Sequence, residues 1–267
     1  MGRINCFIPF ANAEQVNKTI EGLKNNELIN KIYLLATHEA QGTVEGCEVI
    51  NVKNLTASAT IKAIAAKADA DFVLFYTKYN TLKFAPFAIE RFVTIAQDSQ
   101  SALCYADHYN VTDNGADKAP VIDYQFGALR DDFDFGSVLF FCGKCFKKAA
   151  EAMKADYEFA GLYDVRLKLS QFGKITHINE YLYSDVELDT RKSGEKIFDY
   201  VDPKNRGRQI EMEAACTEHL KEIGGYLAPT KVVDGKEVPN FEHIEFNRGE
   251  FEVEATVMIP VRNRIRT

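Results

Sequence analysis

The stretch FVLFYTKYNTL, residues 72–82, decides the fold of this chain. Its first four residues are apolar, which is typical of a strand that is buried on both faces of a sheet. The apolar run then gives way to polar residues that include Thr77, Lys78 and Tyr79. Because ligands of an open α/β sheet bind just beyond the carboxyl ends of its strands, we expect a site at this corner. The corner carries no carboxylate, and this limits the chemistry that it can support.

The composition is that of a mildly acidic globular protein with enough apolar residues for a large core. Of 267 residues, 46% are hydrophobic, and 39 acidic against 32 basic side chains give a net charge of −7. This balance argues against a nucleic-acid-binding face as the main function, although a nucleotide pocket needs only a few local donors. No run of 18 apolar residues predicts a membrane span, and the start MGRINCFIPF lacks the features of a signal peptide. Six cysteines spread through predicted strands and helices favour a reduced, cytoplasmic protein.

Alternating strands and helices predict an α/β fold with a mostly parallel sheet covered by helices. Strands are predicted at residues 4–10, 31–37, 48–52, 72–75, 101–106, 137–142, 174–179 and 181–184. Helices are predicted at residues 13–25, 56–68, 86–96, 144–154, 161–171 and 205–223. Asn12 is expected to cap the first helix, with Gln15 at the capping-box position. Residues 110–136 are predicted to be irregular, with a turn at Asn114 and Gly115.

The sequence changes character towards its C-terminal end, which divides the chain into four predicted parts. Residues 1–184 form the α/β domain, residues 185–228 a charged loop and a C-terminal helix that packs on it, and residues 229–254 a linker or a hairpin arm. Residues 255–267, ATVMIPVRNRIRT, repeat the pattern of residues 4–12, INCFIPFAN, with Ile-Pro after a short strand and Asn three residues after the proline. One interpretation is coincidence between two short strands. The other is that a second copy of the N-terminal unit begins here.

Five segments together resemble the family 2 glycosyltransferases, which use nucleotide sugars and have the GT-A fold. They are IPFAN at 8–12, IAAKADADFVLF at 64–75, CYADHY at 104–109, SVLFF at 137–141 and GLYDVRLKLSQFGKITHI at 161–178. The tail VMIPVRNRIRT, residues 257–267, is also similar to the opening motif of that family. The resemblance therefore implies a GT-A domain over about residues 3–184 and the start of a second, downstream GT-A domain, as in tandem members of the family.

Such enzymes, bacterial surface-polysaccharide transferases among them, bind a nucleotide diphosphate sugar at the carboxyl edge of the sheet and pass the sugar to a glycan acceptor. A divalent metal, Mn²⁺ or Mg²⁺, bridges the diphosphate to an Asp-x-Asp motif, and a later carboxylate deprotonates the acceptor. The resemblance places the Asp-x-Asp at Thr77, Lys78 and Tyr79, which offer a metal no anionic oxygen. Lys78 could instead neutralise the diphosphate as a point charge.

Two other positions that the family fills with acids also lack them here. The aspartate that holds the nucleotide base falls at Ala36 and Thr37, and the catalytic Glu-Asp pair falls at Gly161 and Leu162. Asp164, two residues further on, is the candidate general base. These losses leave open a second hypothesis, a non-catalytic GT-A domain that serves as a scaffold or binding module for a downstream catalytic domain.

The resemblance implies nucleotide-sugar contacts from the opening motif, the corner after residue 76 and later charged residues. The candidates are Pro9, Phe10, Asn12, Thr77, Lys78, Tyr79, Asp107, Arg191 and Lys192. Asp107 and Asp134 are also candidate metal ligands. The alternatives are a turn-capping role for Asp107, an exposed acidic loop around Asp134 and ordinary solvated surface at Arg191 and Lys192.

Residues 140–145, FFCGKC, indicate a different class of protein, because a strand, a Cys-x-x-Cys motif and a helix follow one another. A thiolate at a helix N-terminus beside a lysine has a lowered pKa, as in thiol–disulfide oxidoreductases. No second half of such a domain is evident, and a zinc site would need two more ligands at suitable spacing. A redox protein is therefore the remote alternative, and buried structural thiols are the ordinary interpretation of Cys142 and Cys145.

Overall fold

A computed structural model describes residues 2–187, 206–226, 229–230 and 243–244. The strands are β1 (Ile4–Asn12), β2 (Ile29–Gln41), β3 (Glu48–Asn51), β4 (Phe72–Tyr76), β5 (Thr81–Phe84), β6 (Ser101–Thr112), β7 (Gly115–Ala119), β8 (Val138–Cys142), β9 (Lys174–Val186), β10 (Pro229–Thr230) and β11 (His243–Ile244). The helices are α1 (Ala13–Lys24), α2 (Ser58–Ala66), α3 (Ala88–Ser99), α4 (Gly143–Glu151), α5 (Gly161–Ser170) and α6 (Arg206–Glu222).

The chain divides into two compact units, Met1–His219 and Leu220–Thr267. In the second unit, β10 and β11 pair in antiparallel fashion. The predicted second copy at residues 255–267 lies outside the described residues, as does most of the predicted hairpin arm. No helix in the described parts of either unit is long and apolar enough to cross a lipid bilayer.

Among the described residues, nine strands of the first unit form one sheet. Its order is β3-β2-β1-β4-β8-β6-β9-β5, and β7 pairs with β6 outside this path. Strands β3, β2, β1 and β4 are parallel, β8 is antiparallel to both β4 and β6, and β9 is parallel to β6. Since β8 is antiparallel to both of its neighbours, β6 and β9 run in the same direction as β3, β2, β1 and β4. The prediction of a mostly parallel sheet covered by helices is therefore confirmed.

Helices cover both faces of the sheet, and the central strands supply side chains to both layers. Helices α1 and α3 pack on one face, whereas α2, α4 and α5 pack on the other. Side chains alternate along a strand, so Phe72, Leu74 and Tyr76 of β4 join the first layer. Val73 and Phe75 join the second. All five residues are buried, as the apolar run predicted for the first four.

The first helix begins at the predicted cap. Asn12 Oδ1 accepts a hydrogen bond from the backbone nitrogen of Gln15 at 3.0 Å, and Gln15 Oε1 accepts one from the backbone nitrogen of Ala11 at 3.1 Å. The reciprocal bond thus reaches Ala11 rather than the cap residue itself. Both bonds satisfy backbone N–H groups near a helix start, which have no partner within the helix.

Three predictions of secondary structure were wrong in detail. Residues 110–136 are not wholly irregular, because β6 continues to Thr112 and turns back into β7. The pattern concealed β7 because its five residues are mostly exposed and do not alternate between apolar and polar. Strand β5 was missed since only Leu82 of its four residues is apolar and fully buried. The two short strands predicted near the end of the domain are one strand, β9, which passes the predicted domain limit and includes Asp185.

Candidate functional site

The carboxyl ends of β4 and β9 meet around the buried carboxylate of Asp185. Tyr76 Oη donates to Asp185 Oδ1 at 2.7 Å, and Lys78 Nζ donates to Oδ2 at 2.8 Å. Ser137, just before β8, also donates from Oγ to Oδ2 at 2.6 Å. We call Tyr76, Lys78, Ser137 and Asp185 the Asp185 cluster. Burial and the adjacent carboxylate raise the pKa of Tyr76, so its phenol keeps the proton that it donates.

A second layer of aromatic and imidazole rings supports this cluster. His108 stacks flat on Tyr183, with ring centroids 5.0 Å apart and an interplanar angle of 1°. Tyr183 Oη accepts a hydrogen bond from the backbone nitrogen of Ser137 at 2.8 Å. Burial lowers the pKa of His108, although Asp185 Oδ2 lies 3.8 Å from Nε2 and opposes this shift. At Gly136, where φ is +69°, a Cβ would lie 2.4 Å from Tyr183 Oη, so the corner requires glycine there.

Asp107 lies within β6, and structural partners engage its Oδ1 atom. Its Oδ1 accepts a hydrogen bond from the backbone nitrogen of Val121 at 2.9 Å and lies 2.9 Å from His177 Nε2. The other ring nitrogen of His177 lies 2.7 Å from Asp123 Oδ1. Asp107 is only 2% exposed. These contacts fit the alternative interpretation of Asp107 as a structural acid that secures the return of the β6–β7 hairpin.

A cavity of about 210 Å³, which we call the edge pocket, opens beside the residue that follows β4. Its lining combines a hydroxyl, carboxylates, a guanidinium group and aromatic rings. The residues that matter here are Thr77, Asp131, Asp134, Phe159, Leu162 and Arg208. The structure therefore brings predicted Thr77 and Asp134 together in one pocket. It adds Arg208 from α6.

The loop that carries the carboxylates is held in place by Arg166 of α5. Its guanidinium donates to the carbonyl oxygens of Ala128 at 2.8 Å and Arg130 at 2.7 Å. The same group lies 4.8 Å from the ring centroid of Tyr163, in a cation–π contact. Arg166 is only 5% exposed, so we assign it to shaping the pocket wall.

The three aspartates of this loop are not equivalent. Arg130 binds Asp132 through two hydrogen bonds of 2.9 and 3.0 Å, and Asp132 does not line the pocket. Asp134 lines the pocket, and its Oδ1 accepts a hydrogen bond from the backbone nitrogen of Gly136 at 2.7 Å. Asp131 also lines the pocket. Within the described part of the chain, Asp131 and Asp134 are thus the carboxylates that face this cavity.

Helix α6 reaches the pocket because Glu211 anchors it to the start of α5. The Glu211 carboxylate accepts hydrogen bonds from the backbone nitrogens of Phe159 at 2.6 Å and Ala160 at 3.1 Å. Arg208 lies about one turn earlier on the same helix and is exposed at the pocket. None of the ion pairs between described residues involves Arg208, so its charge faces the cavity and solvent. The predicted contacts Arg191 and Lys192 lie outside the described residues.

The predicted general base, Asp164, does not line the edge pocket. It is completely buried in the first turn of α5, and its Oδ1 lies 3.8 Å from Lys168 Nζ. Lys168 also lies 3.3 Å from Glu218 of α6. A catalytic role for Asp164 stays a prediction, and the pocket geometry does not favour it.

Position 161 has no room for the first acid of the pair that the family resemblance places at the start of α5. A Cβ at Gly161 would lie 2.2 Å from the backbone nitrogen of Ser58, at the start of α2. Backbone hydrogen bonds hold this approach, since Leu162 donates to the Thr56 carbonyl at 3.0 Å and Ser58 donates to the Tyr157 carbonyl at 2.9 Å. Leu162 lines the pocket instead. Any side chain at Gly161 would have to displace the backbone of α2.

The opening motif is used mainly for the fold. Phe10 packs in the core at 1% exposure, Pro9 is buried, and Asn12 caps α1. At the corner, Thr77 pairs through its backbone nitrogen with the Ser137 carbonyl at 2.9 Å, and the ring of Tyr79 is 37% exposed. Nucleotide contacts by these residues stay predictions.

The donor set at the corner does not fit the divalent metal that the resemblance implies. Mg²⁺ and Mn²⁺ need hard anionic oxygens with free lone pairs. Asp185 is the carboxylate nearest the corner, but three donors engage its two oxygens, and one donor is the Lys78 ammonium. The charges of Asp107 and Asp134 both act to raise the pKa of His108, against the larger effect of burial. Nevertheless, the described residues contain no group of three or more His, Cys, Asp or Glu side chains that could hold a metal ion.

A larger cavity, of about 790 Å³, lies at the opposite, amino-terminal edge of the sheet and is open to solvent. Its lining includes Asp71, Cys142, Lys144 and Cys145. Burial raises the pKa of Cys145 to about 12, which is opposite to the lowered pKa of a reactive thiol. All six cysteines are free thiols. Despite its size, this cavity does not lie at the expected edge, and Cys145 lacks the lowered pKa that the redox hypothesis requires.

Comparison with solved structures identifies the architecture. Sequence comparison finds no matching family model and no matching curated protein. Structures of S. aureus TarS, residues 1–349, match at 11% sequence identity, with TM-scores of 0.57 for the complex with UDP-GlcNAc and 0.54 for the complex with UDP. These two matches cover 82% of this chain and 66% and 65% of the TarS chains.

The fold is the GT-A fold. A third TarS structure, at a TM-score of 0.52 and 11% identity, matches over 92% of this chain and 97% of that chain. The chain thus spans about two thirds of the TarS 1–349 chain in each of the two complexes. At this identity the likeness concerns the fold alone, so activity and substrate are considered below as proposals.

Sequence reasoning missed Asp185, and one signal could have found it. Tyr181, Tyr183 and Asp185 alternate along β9 and therefore share one face of the strand. That face points to His108 and Ser137. The signal was hidden because Asp185 opens a charged stretch and was assigned to the extension that follows the domain.

Proposed function

We propose that this chain transfers a sugar from a nucleotide diphosphate sugar to a glycan acceptor of the polysaccharide kind. The observation that carries the proposal is the edge pocket, which combines an exposed cation, two carboxylates and aromatic rings beside the end of β4. Ligands of open α/β sheets bind at this edge. The complexes of TarS with UDP-GlcNAc and UDP support the nucleotide-sugar class of ligand.

The lining residues suit the three parts of such a substrate. Arg208 is placed to form charge-assisted hydrogen bonds with phosphate oxygens. The ring of Phe159 offers an apolar surface for the face of a sugar ring or nucleobase. Asp131 can accept hydrogen bonds from sugar hydroxyls.

Asp134 is the best-placed general base. Its hydrogen bond from the Gly136 nitrogen fixes one oxygen and leaves the other for the acceptor hydroxyl. In the proposed step, the acceptor oxygen bonds to the anomeric carbon while the bond from that carbon to the diphosphate breaks. Asp134 takes the acceptor proton, and the bonding electrons leave with the diphosphate.

The test compares two neighbouring aspartates. With UDP-GlcNAc as donor and water as a slow acceptor, UDP release should fall about 10²- to 10⁴-fold in Asp134→Asn, since a general base contributes that factor. Asp132→Asn makes the same change two residues away, outside the pocket, and this variant should release UDP at the wild-type rate. Equal rates of UDP release in the wild type and Asp134→Asn would show that Asp134 is not the general base.

A second candidate function is a non-catalytic GT-A domain that binds a ligand for a downstream catalytic domain. It is favoured by the close packing at Gly161, which excludes an acid from position 161. It predicts UDP binding in calorimetry without turnover, and activity only when the downstream domain is present. Turnover by residues 1–267 that depends on Asp134 would exclude it.

A further inference from the structure

Lys78 places a fixed positive charge at the corner where the family resemblance expects a metal site. Its Nζ lies 2.8 Å from Asp185 Oδ2. The two members of the pair differ in exposure, since the lysine side chain is 43% exposed and that of Asp185 is 1% exposed. The carboxylate therefore lies beneath the ammonium, and the positive end of the pair faces outward.

The other members of the Asp185 cluster hold this carboxylate from separate parts of the fold. Tyr76 belongs to β4, Ser137 precedes β8, and Asp185 itself belongs to β9. The position of the Lys78 ammonium is thus set by the sheet rather than by its loop alone. A charge held in place before the ligand arrives loses little conformational freedom on binding, which favours affinity.

The Lys78 ammonium also repels a divalent cation. Two positive charges repel each other more strongly near a protein surface than in water, and the repulsion doubles when one of them is a divalent ion. Neither oxygen of Asp185 can coordinate such a cation without giving up a donor that it now binds.

A second cation lies at the neighbouring cavity. Thr77 lines the edge pocket together with Arg208, and Lys78 is the next residue along the chain. The corner and the pocket therefore present an ammonium and a guanidinium group near one carboxyl edge. Two such groups can supply the charge that a diphosphate otherwise takes from a metal.

We propose that this corner binds the diphosphate of a nucleotide without a divalent metal, through the Lys78 ammonium held by Asp185 and through Arg208. This proposal rests on the proposed function, because it assigns the charge that holds the same donor. It specifies the ligand class as a nucleoside diphosphate or its sugar ester, and it assigns to Asp185 the positioning of Lys78.

The decisive experiment is calorimetry of the wild-type protein with UDP, and in parallel with GDP, in EDTA and in Mn²⁺. We expect the better of the two nucleotides to bind with the same affinity in both buffers. Binding that requires Mn²⁺ would overturn the metal-free site and leave the proposed function standing. No binding of either nucleotide in either buffer would overturn the proposed function as well.

Variants then test whether Lys78 supplies the positive charge that binds the nucleotide. Lys78→Met keeps the aliphatic stem and removes the ammonium, and should weaken binding in EDTA about 10- to 100-fold, the value of a hydrogen bond to a charged group. Lys144→Met makes the same change of charge at the opposite edge and should bind as wild type does. Lys78→Arg, which keeps a cation over Asp185, should restore most of the affinity. Wild-type affinity in Lys78→Met would overturn the proposal.

Discussion

Two sets of carboxylates lie near the carboxyl edge of the sheet, and they differ in what surrounds them. Asp107 and Asp185, on strands β6 and β9, are 2% and 1% exposed and are engaged by protein donors. Asp131 and Asp134, in the loop before β8, are exposed and line the edge pocket. The strands thus hold acids that stabilise the corner, and the loop holds acids that are available to a substrate.

The difference follows from the cost of burial. A carboxylate that is removed from water must be compensated by donors, and those donors then occupy the lone pairs that a metal or substrate would need. A position at the end of a strand is therefore a poor guide to chemistry by itself. Four changes, ordered by expected effect, test this comparison.

Asp185→Ala should cause the largest loss of stability. Tyr76 and Ser137 would keep buried hydroxyl groups without an acceptor, at about 1–3 kcal/mol each. The contribution of Lys78 is smaller, because its side chain is 43% exposed and solvent screens the pair. We expect the free energy of unfolding in urea to fall by about 3 kcal/mol. Asp132→Ala, an exposed acid of the loop, should change it by less than about 0.5 kcal/mol; equal losses would refute the distinction.

Gly161→Ala should destabilise the protein by about 1–3 kcal/mol, because its Cβ would lie 2.2 Å from the backbone of α2. Gly22→Ala is the matched control, since nothing lies within 4 Å of a Cβ at this position in α1. There the substitution should stabilise by about 0.5–1 kcal/mol. Thermal or urea unfolding of both variants measures the change in the free energy of unfolding, which should have opposite signs in the two proteins. A stable Gly161→Ala would mean that an acid could be accommodated at the start of α5.

His177 allows a buried and an exposed carboxylate to be compared on one imidazole ring. Asp107→Asn replaces the buried partner and should cost about 1 kcal/mol, because the charge-assisted bond becomes a neutral one. Asp123→Asn replaces a partner whose side chain is 88% exposed and should cost less than about 0.5 kcal/mol. Urea denaturation of the two variants gives the difference. The reverse order would contradict the role assigned to burial.

His108 should give the smallest effect, visible as a pH dependence of stability. Burial lowers its folded pKa below the ordinary value of 6.5. As the pH falls below about 6.5, the unfolded chain therefore binds a proton that the folded protein does not, and stability decreases. One proton gives a slope of at most about 1.4 kcal/mol per pH unit. In urea denaturation between pH 7.5 and 5.5, His108→Gln should lose less stability than wild type; identical slopes would contradict the shift.

Much of the fold was predictable from local pattern. The apolar run of β4 and the cap at Asn12 depend on residues that are close in sequence, and both were confirmed. Strand β7 was not predictable in this way, because its exposed residues carry no alternation and its pairing with β6 alone defines it.

The site was less predictable, because contacts distant in sequence create it. Thr77 and Lys78 were located correctly at the sheet edge, but Asp185 meets Lys78 across 107 positions of sequence. Arg208 reaches the pocket because α6 packs on α5, where Glu211 binds the backbone at the start of α5 and Ala215 joins Leu167 in an apolar cluster. No spacing rule within a single segment could reveal either partnership.

The close approach of α5 to α2 at Gly161 also constrains how this protein can be evolved in the laboratory. A saturation library at codon 161 alone should return almost only glycine, whatever activity is selected, because every other side chain meets the backbone of Ser58. Access to an acidic residue there would require a prior change that lets the first turn of α2 retreat. The route to an acid at position 161 is therefore a path of at least two ordered steps, and the first would have to be tolerated without any benefit of its own.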